Sequence, residues 1–388
     1  MKEKINIIQF MPYFPPHKWG VETVWEEIGK YWIKNNFWEF INIVTEFNQQ
    51  EELEKDEKII FENKIIWYKK DWYEVLVCPS IEIINNFPVY KIWTKKYRLI
   101  KKYLQKKVWE NKNNFRGITH TRFFLTSLIW GLFTRRNWIK WIHIEHWSDY
   151  VKLSSKLKTK LSIIYDKIFW KWIFKKADKI LSISKACKSF INREFVDRKV
   201  DIFYRGLELN TFNIEKKWNI KLLFIWRLVK LKWVDYLLEV YKNLWINNKL
   251  IIIWDGEERQ KLENFIQNNK IKNVKFLWFQ NKNFIEKFLA ENNCILINPS
   301  YQEWLPTTVI EWLFYKNVVI ASDVWGTNEI SNKEDLILFK AWDKKELEEK
   351  IKFSIKNYEI LKWLSFENVK EKFDWDKNIE KLFNFIIK

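Results

Sequence analysis

Short apolar runs alternate with segments of helical spacing along most of the chain, and this alternation limits the fold more than any other feature. Runs such as residues 250–253 and 294–297 are short and uncapped, which is typical of buried parallel strands. Helical patterns follow them, from about residue 257 in the first case and from residue 306 in the second. Repeated strand–helix units of this kind predict an α/β fold with parallel sheets.

The first half of the chain carries the same alternation as the second half. We predict strands over residues 4–10, 39–45, 64–69, 73–79, 118–122 and 139–144, with helices over 95–107 and 156–176. The alternation restarts at residue 221 and ends in a mostly helical tail, residues 368–387. Two Rossmann-like domains joined near residues 204–213 are therefore expected, and 388 residues suffice for both.

Charge and cysteine content limit the cellular setting. The net charge of +19 indicates an anionic partner such as a nucleotide, nucleic acid or membrane surface, although an AT-rich coding sequence gives the same excess of Lys. Three widely separated cysteines form no metal or redox pair, which indicates a reducing cytosol. The early apolar run ends at Pro12, and no run approaches the ~18 residues of a spanning helix, so we expect a protein that is soluble or lies on a membrane.

The balance of Trp and Gly is abnormal. The chain has 26 Trp and 7 Gly, whereas an average Gly usage of about 7% would give roughly 27. Trp19, Trp254 and Trp325 stand where tight turns are expected, and such turns need positive φ or no side chain. We hypothesise that most of these Trp are glycines in the cell, as when a UGA codon is reassigned. The alternative is a protein genuinely rich in Trp, which binds carbohydrate or nucleic acid through aromatic platforms.

Residues 297–330 form a strand, a loop, a short helix and a second strand. Pro306 marks the helix start, and the hydroxyls of the following threonines are available to cap its amides. Glu303 precedes the helix and Glu311 lies in its first turns, eight positions later. A helix N-terminus suits a phosphate and carboxylates suit sugar hydroxyls, so the stretch predicts a nucleotide-sugar site. Taken alone, carboxylates at a helix start are more often caps.

With glycine at the anomalous Trp positions, the chain resembles the retaining GT-B glycosyltransferases of family 4 (glycosyl transferases group 1), over nearly its whole length. In the first half the resemblance rests on PPHKWGVETV, HTRFFLTSL, IHIEHWSDY and ADKILSISKACKSFI. In the second half it rests on FIWRLVKLKWVDYLLE, IIIWDGEERQKLE, NPSYQEWLPTTVIEWL and ASDVWGTNEI. The departures are mainly Trp where the family has Gly, which independently supports recoding.

The resemblance implies two Rossmann-like parallel-sheet domains facing a cleft. An acceptor-side domain would span residues 1–205 and a nucleotide-sugar donor domain residues 206–370. A terminal helix, residues 371–388, would pack back toward the N-terminal domain.

The resemblance also assigns roles to charged residues in the second half. Arg227 and Lys232 resemble the pair that neutralises the donor diphosphate, where fixed cations stabilise the charge that develops on the leaving group. Glu311 resembles the residue that binds the ribose hydroxyls, and Glu303 the residue that faces the donor sugar. By their spacing alone, two solvated loop cations would be the preferred interpretation.

In the first half, His146 resembles the histidine that reaches the donor sugar. His143 lies three positions before it, but no third ligand with suitable spacing appears, so we expect no zinc site. Asp374 and Asp376 spell the D-x-D metal motif of another glycosyltransferase fold, and we interpret them as solvated. The remaining donor-binding positions implied by the resemblance are Trp19 (as glycine), Gly20, Leu305 and Thr308.

These expectations define a hexosyltransferase that moves a sugar with retention from a UDP- or GDP-sugar to a glycan or lipid-linked acceptor in cell-envelope polysaccharide or glycolipid synthesis. No metal, other cofactor or nucleic acid is expected. We expect a cytoplasmic protein, with anionic membrane contact through the basic segments 95–107 and 152–179 or with both segments simply solvated. The alternatives are another GT-B enzyme, such as an epimerase or phosphorylase, and an aromatic-rich binder without catalysis.

Overall fold

The fold is described from a computed structural model of the chain. It describes residues 5–11, 28–29, 31–32, 34, 40–44, 57–61, 64–70, 73–77, 81–84, 87–90, 95–110, 114–121, 126–150, 155–206, 216–226, 228, 230–300, 303, 305–324, 326–330 and 336–388. Internal contacts divide the chain into two units, Met1–Phe203 together with Ile379–Lys388, and Tyr204–Asn378.

Unit 1 is built on a nine-stranded sheet in the order β11-β10-β9-β8-β1-β2-β5-β4-β3. Its strands are β1 (Asn6–Met11), β2 (Phe40–Val44), β3 (Glu57–Phe61), β4 (Lys64–Lys70), β5 (Tyr73–Val77), β8 (Phe115–His120), β9 (Lys140–Glu145), β10 (Lys179–Ser182) and β11 (Asp201–Ile202). A separate hairpin pairs β6 (Ile81–Ile84) with β7 (Phe87–Tyr90). The helices are α1 (Lys95–Glu110), α2 (Thr126–Arg136), α3 (Lys156–Lys176) and α4 (Lys185–Glu194).

The predicted α/β fold with parallel sheets is confirmed, and the sheet of unit 1 departs from it at one edge. Strand β4 pairs antiparallel with both β3 and β5, whereas the other pairs of this sheet are parallel. Only two residues connect β3 to β4, and two connect β4 to β5. Connections this short allow hairpins, while a parallel pair needs a crossover of a dozen or more residues.

Chain order places a switch point inside unit 1. Strand β1 pairs with β2 on one side and with β8 on the other, both in parallel. The chain therefore winds outward from β1 in two directions. In open α/β sheets the crevice beyond the carboxyl ends of such strands is the usual ligand site.

Unit 2 is a six-stranded parallel sheet in the order β14-β13-β12-β15-β16-β17. Its strands are β12 (Lys217–Ile225), β13 (Leu250–Ile253), β14 (Val274–Leu277), β15 (Asn292–Asn298), β16 (Val318–Ser322) and β17 (Ile337–Phe339). The connecting helices are α5 (Val234–Asn243), α6 (Arg259–Asn268), α7 (Lys282–Glu291) and α8 (Thr307–Phe314), and α9 (Lys344–Lys356) and α10 (Tyr358–Lys372) follow. The chain winds from β12 to β14 and then from β15 to β17, which puts a switch point between β12 and β15.

The C-terminal tail is two helices rather than one. Helix α10 ends at Lys372, and α11 (Trp375–Ile387) begins after Asp374, whose carboxylate accepts the amide of Lys377 at 2.8 Å. Asp374 is therefore a helix cap rather than simply a solvated residue. In unit 1, the Arg116 guanidinium donates to the carbonyls of Ile386 and Ile387 at the end of α11.

Backbone geometry separates the Trp residues into two groups. Among the described residues, eight non-glycine residues have positive φ, and four of them are Trp138 (58°), Trp233 (49°), Trp254 (123°) and Trp342 (75°). Trp138 follows α2, where Ile139 N–H donates to Thr134 O at 3.0 Å and Trp138 N–H to Arg135 O at 3.2 Å. This is a Schellman motif with Trp at the position that usually holds glycine.

The other three positive-φ Trp are in different local settings. Asp343 N–H donates to Lys340 O at 3.0 Å, which closes a turn whose third residue, Trp342, has the positive φ of a type II turn. Trp254 has a φ of 123°, outside the left-handed helical region that other residues can reach. Trp233 lies at the N-cap of α5, and its ring centroid is only 3.5 Å from that of Trp342.

None of the described helices is both long enough and apolar enough to cross a bilayer.

Candidate functional site

The candidate site of unit 2 lies at the switch point, where β12 and β15 end side by side. These two strands pair in parallel, so their carboxyl ends meet at the same edge of the sheet. After β12, a single 3₁₀ turn, Lys230–Lys232, places Lys232 at this edge. After β15, the chain places Glu303 there. Residues 71 positions apart in sequence are thereby brought into contact.

Lys232 and Glu303 form a direct ion pair. Lys232 Nζ lies 2.6 Å from Glu303 Oε1, and their side chains are 20% and 11% exposed. Lys232 Nζ also lies 5.9 Å from the ring centroid of Trp226, which is almost fully buried. A charge-assisted hydrogen bond in this partly buried setting fixes both groups more firmly than a surface ion pair would.

A polar network that the sequence analysis missed orients Glu303. Asn298 Nδ2 donates to Glu303 Oε1 at 3.2 Å, while Asn298 Oδ1 accepts both the amide and the hydroxyl of Ser300. Ser322 Oγ in turn donates to the Ser300 carbonyl. A sequence signal existed: Asn298 and Ser322 are polar residues at the carboxyl ends of β15 and β16, each directly after a run of apolar residues.

The start of α8 completes this side of the site. Pro306, which precedes both threonines, is the N-cap residue of α8, and it supplies no side-chain hydrogen bond. The first amides of α8 consequently keep the donor character of an uncapped helix N-terminus. Leu305 is buried beside it, and Thr308 and Glu311 are half-buried in the first two turns.

The loops after β12 and β13 are held together through their backbones. Leu228 donates its amide to Asp255 O at 3.1 Å, and its carbonyl accepts the amide of Glu258 at 3.1 Å. A Cβ added to Gly256 would lie 2.3 Å from the Leu228 carbonyl oxygen, so this close approach requires glycine. The loop that carries Lys232 is therefore fixed by its neighbour.

Several predicted site residues cannot be placed. Trp19, Gly20 and Arg227 lie outside the described residues, as do Trp304 and Trp325. The structure brings together Lys232 and Glu303, with Leu305, Thr308 and Glu311 on the adjoining loop and helix.

In unit 1, His146 follows β9 directly and belongs to a buried cluster at the carboxyl ends of β8 and β9. Its Nε2 is 3.4 Å from Nδ1 of His120, the last residue of β8 and a residue that the sequence analysis did not single out. Glu145 Oε1 accepts the backbone amides of His146 and Trp147, each at 3.0 Å. These bonds fix the backbone from which the His146 ring projects.

The side chain of His143 is held by neighbouring residues inside unit 1. Its Nδ1 is 2.9 Å from Thr119 Oγ1, which also accepts the indole N–H of Trp141 at 2.8 Å. Its Nε2 is 3.6 Å from Glu145 Oε2. Trp141 thus has a specific buried partner, which is the environment of a genuine Trp.

Burial lowers the pKa of His146 and of His120. It lowers the pKa of His146 to about 4, against the opposing charge of Glu145 and with help from His143. The pKa of His120 is lowered well below its usual value, first by burial and then by His146 and His143. At neutral pH, His146 therefore acts as a neutral hydrogen-bonding group.

Within the described residues, no three His, Cys, Asp or Glu side chains converge in a way that could hold a metal ion.

The chain has a GT-B-like fold, which solved structures share. Sucrose-phosphate synthase from Thermosynechococcus elongatus superposes with a TM-score of 0.73, at 15% identity over 98% of each chain. Anabaena HepE, solved with UDP, gives a TM-score of 0.71 at 12% identity over 98% of this chain and 99% of its own. HepE has also been solved with UDP-glucose.

Sequence comparison identifies the family. The family of glycosyl transferases group 1 matches residues 210–368. An uncharacterized glycosyltransferase of Methanocaldococcus jannaschii is 31% identical over 97% of each chain. The chain belongs to the glycosyl transferases group 1 family and is a glycosyltransferase.

Proposed function

We propose that the enzyme transfers a hexose from a nucleotide-sugar donor, with retention of anomeric configuration. The observation that carries this proposal is the ion pair of Lys232 and Glu303 at the switch point of unit 2, beside the uncapped start of α8. A cation and a helix N-terminus suit a diphosphate, and an oriented carboxylate suits sugar hydroxyls. The complexes of HepE with UDP and UDP-glucose support the same class of donor.

The proposed reaction breaks the bond between the anomeric carbon and the diphosphate oxygen. The acceptor hydroxyl attacks the same face of the sugar, and its proton passes to the departing phosphate oxygen. No protein nucleophile enters this front-face path. Lys232 and Arg227 stabilise the negative charge that grows on the leaving group, without a metal ion.

In this scheme Glu303 holds the hydroxyls of the donor sugar, and Glu311 holds those of the ribose. Lys232 must then exchange part of its contact with Glu303 for the diphosphate when the donor binds. His146 contributes a hydrogen bond to the donor sugar as a neutral imidazole. Trp19 (as glycine), Gly20, Leu305 and Thr308 line the diphosphate.

Recoding of Trp as glycine is part of the proposal. Positive φ at Trp138, Trp233, Trp254 and Trp342 supports it, because left-handed conformations cost an L-residue about 1–2 kcal/mol and cost glycine almost nothing. The 3.5 Å separation of the Trp233 and Trp342 ring centroids also supports it, since aromatic pairs prefer about 4.5–7 Å. UGG codons at these four positions would contradict recoding.

The donor assignment is tested with two versions of the full-length protein. One carries Trp throughout as in the given sequence. The other carries glycine at the positive-φ positions and at the donor-site positions 19, 226, 304 and 325, where an indole would fill space that the donor needs. Release of nucleoside diphosphate is measured across UDP- and GDP-sugars, in the presence and absence of EDTA. We expect turnover by the glycine version alone, unaffected by EDTA. Normal turnover by the Trp version would refute the recoding proposal.

Glu303→Gln in the glycine version is the control for the site. Removing one transition-state contact typically costs about 10²–10³ in rate. The anomeric configuration of the product, read by NMR, tests retention. The proposed acceptor is a glycan or lipid-linked glycan of the cell envelope, at the cytoplasmic face of the membrane.

A further inference from the structure

Helix α3 of unit 1 exposes a row of large apolar side chains. Leu157, Leu161, Ile164 and Ile168 are 69%, 58%, 55% and 62% exposed. Their spacing of four, three and four positions puts them on one face of the helix, over about 16 Å. We call these four residues the α3 ridge. Burying such side chains in an apolar medium is favourable, so a continuous exposed row indicates an interaction surface.

The charges along the ridge are of one sign. Lys156, Lys160, Lys167 and Lys171 are exposed and lie along one flank of the row, as helical spacing requires. The one acidic residue of α3, Asp166, is buried and accepts the indole N–H of Trp170 at 2.6 Å. Glu194 of α4 lies 3.7 Å from Lys167 and offsets part of one charge. The remaining flank is cationic.

We propose that the α3 ridge docks the enzyme on an anionic lipid surface, with the apolar row inserted among the acyl chains and the lysines among the headgroups. The spacing of the row would also suit a partner helix, but the exposed lysines along its flank are matched by the negative headgroups of an anionic lipid surface. A second copy of the chain would bring two lysine flanks together, which like-charge repulsion opposes. Lysines beside an inserted apolar face are instead the pattern of interfacial helices.

The structure distinguishes α3 from the other basic helix. In α1, the apolar residues Leu99, Ile100, Leu104 and Val108 are buried in the core of unit 1. Among the described side chains of α1, Trp109 is the one large apolar side chain that is mostly exposed, so α1 carries no exposed apolar row there. We therefore assign insertion to α3 and not to α1. The assignment rests on the proposed function in one respect, because the enzyme would encounter a lipid-linked acceptor at the membrane surface on which the α3 ridge docks.

Vesicle cosedimentation of the full-length protein, without donor or acceptor, tests the proposal. The vesicles are phosphatidylcholine alone, or phosphatidylcholine with phosphatidylglycerol. We expect binding to the anionic vesicles, lowered at least about 10-fold by Leu161→Gln/Ile164→Gln/Ile168→Gln. Lys160→Gln/Lys171→Gln should lower it roughly 10- to 30-fold, and added salt should mimic this change.

Ile360 and Leu364 provide a matched control, because they are 66% and 46% exposed on α10 of unit 2. Ile360→Gln/Leu364→Gln should leave vesicle binding unchanged. The proposal is overturned if the ridge variant binds anionic vesicles like the parent, or if the parent does not bind them. A dimer that the ridge variant dissociates, without vesicle binding, would assign the ridge to self-association instead.

A folding check keeps the comparison valid. Thermal unfolding of each variant should match the parent, because the altered side chains are exposed, and Ile168→Gln alone provides a milder version. Hydrolysis of the sugar-nucleotide donor, measured without vesicles, tests the proposed function separately. If the donor is not turned over, binding to anionic vesicles would still support membrane docking through the α3 ridge. Loss of vesicle binding would likewise leave turnover on a soluble acceptor intact.

Discussion

Trp138 and Trp141 lie three positions apart in unit 1, and we predict opposite effects when each is replaced by glycine. Trp138 is 88% exposed with a φ of 58°. Its indole contributes little burial, while its backbone occupies the left-handed region. Trp141 is fully buried in β9, and its indole N–H donates to Thr119 Oγ1 at 2.8 Å. One replacement relieves strain, whereas the other removes a packed and hydrogen-bonded side chain.

The expected magnitudes follow from these environments. A left-handed backbone conformation costs an L-residue about 1–2 kcal/mol. Glycine removes this cost, but the greater conformational entropy that it gives the unfolded chain offsets about 0.5–1 kcal/mol of the gain. Trp138→Gly should therefore raise the free energy of unfolding by roughly 0.5–1 kcal/mol. Trp141→Gly should lower it by about 3–5 kcal/mol from the cavity alone, with a further cost from glycine in a strand.

The assay is urea unfolding in a background that carries glycine at the donor-site positions 19, 226, 304 and 325. Midpoints are compared at constant m-value, so that a shift reports stability. Trp138→Ala is the matched control, because alanine removes the indole but keeps the positive φ. A gain with Trp138→Gly that is absent with Trp138→Ala would assign the effect to backbone strain. Destabilisation by Trp138→Gly would refute the reasoning.

Three further predictions concern charged and titratable groups. Lys232→Met and Glu303→Gln should show a coupling energy of about 1–2 kcal/mol in a double-mutant cycle of urea unfolding, and effects that add within about 0.4 kcal/mol would contradict the ion pair. In the unfolded chain His146 binds a proton below about pH 6.5, whereas in the folded protein its pKa is lowered to about 4. The free energy of unfolding should therefore fall as the pH drops from 6.5 toward 4. His146→Gln should reduce this pH dependence of the free energy of unfolding by on the order of 2–3 kcal/mol. An unchanged pH dependence would contradict the lowered pKa of His146. Lys216 donates to Leu289 O at 2.9 Å and to Asn317 Oδ1 at 2.8 Å. In urea unfolding, Lys216→Met should therefore lower the free energy of unfolding by about 2 kcal/mol, whereas Lys217→Met, at an exposed position, should lower it by less than about 0.5 kcal/mol. Equal effects of the two substitutions would contradict a stabilising role of the Lys216 hydrogen bonds.

Local sequence patterns predicted the bounds of an element correctly where those bounds depend on the element's own residues. The helix predicted over residues 156–176 has those bounds in the structure, because its apolar residues repeat at helical spacing. The strand predicted over residues 118–122 instead runs from Phe115 to His120. Strand ends depend on pairing with β1 and β9, which the local sequence does not encode.

Candidate site residues divide in the same way. Glu303 and Glu311 stand out in the sequence by their spacing around a helix start, and the roles that the resemblance gives them stay predictions. Asn298, which orients Glu303, and His120, which contacts His146, were not singled out. Each ends a strand, and its importance depends on which strand lies beside it.

The sequence by itself determined that this chain alternates strands and helices, that its Trp and Gly contents are abnormal, and that carboxylates and cations flank particular turns. These features follow from composition and short spacings. Only the tertiary structure decided that Lys232 meets Glu303, because β12 and β15 are neighbours although three helices and two strands separate them in the chain. It also decided that one face of α3 stays exposed and that four Trp occupy positive φ. Burial and backbone strain arise from long-range packing, which no local pattern specifies.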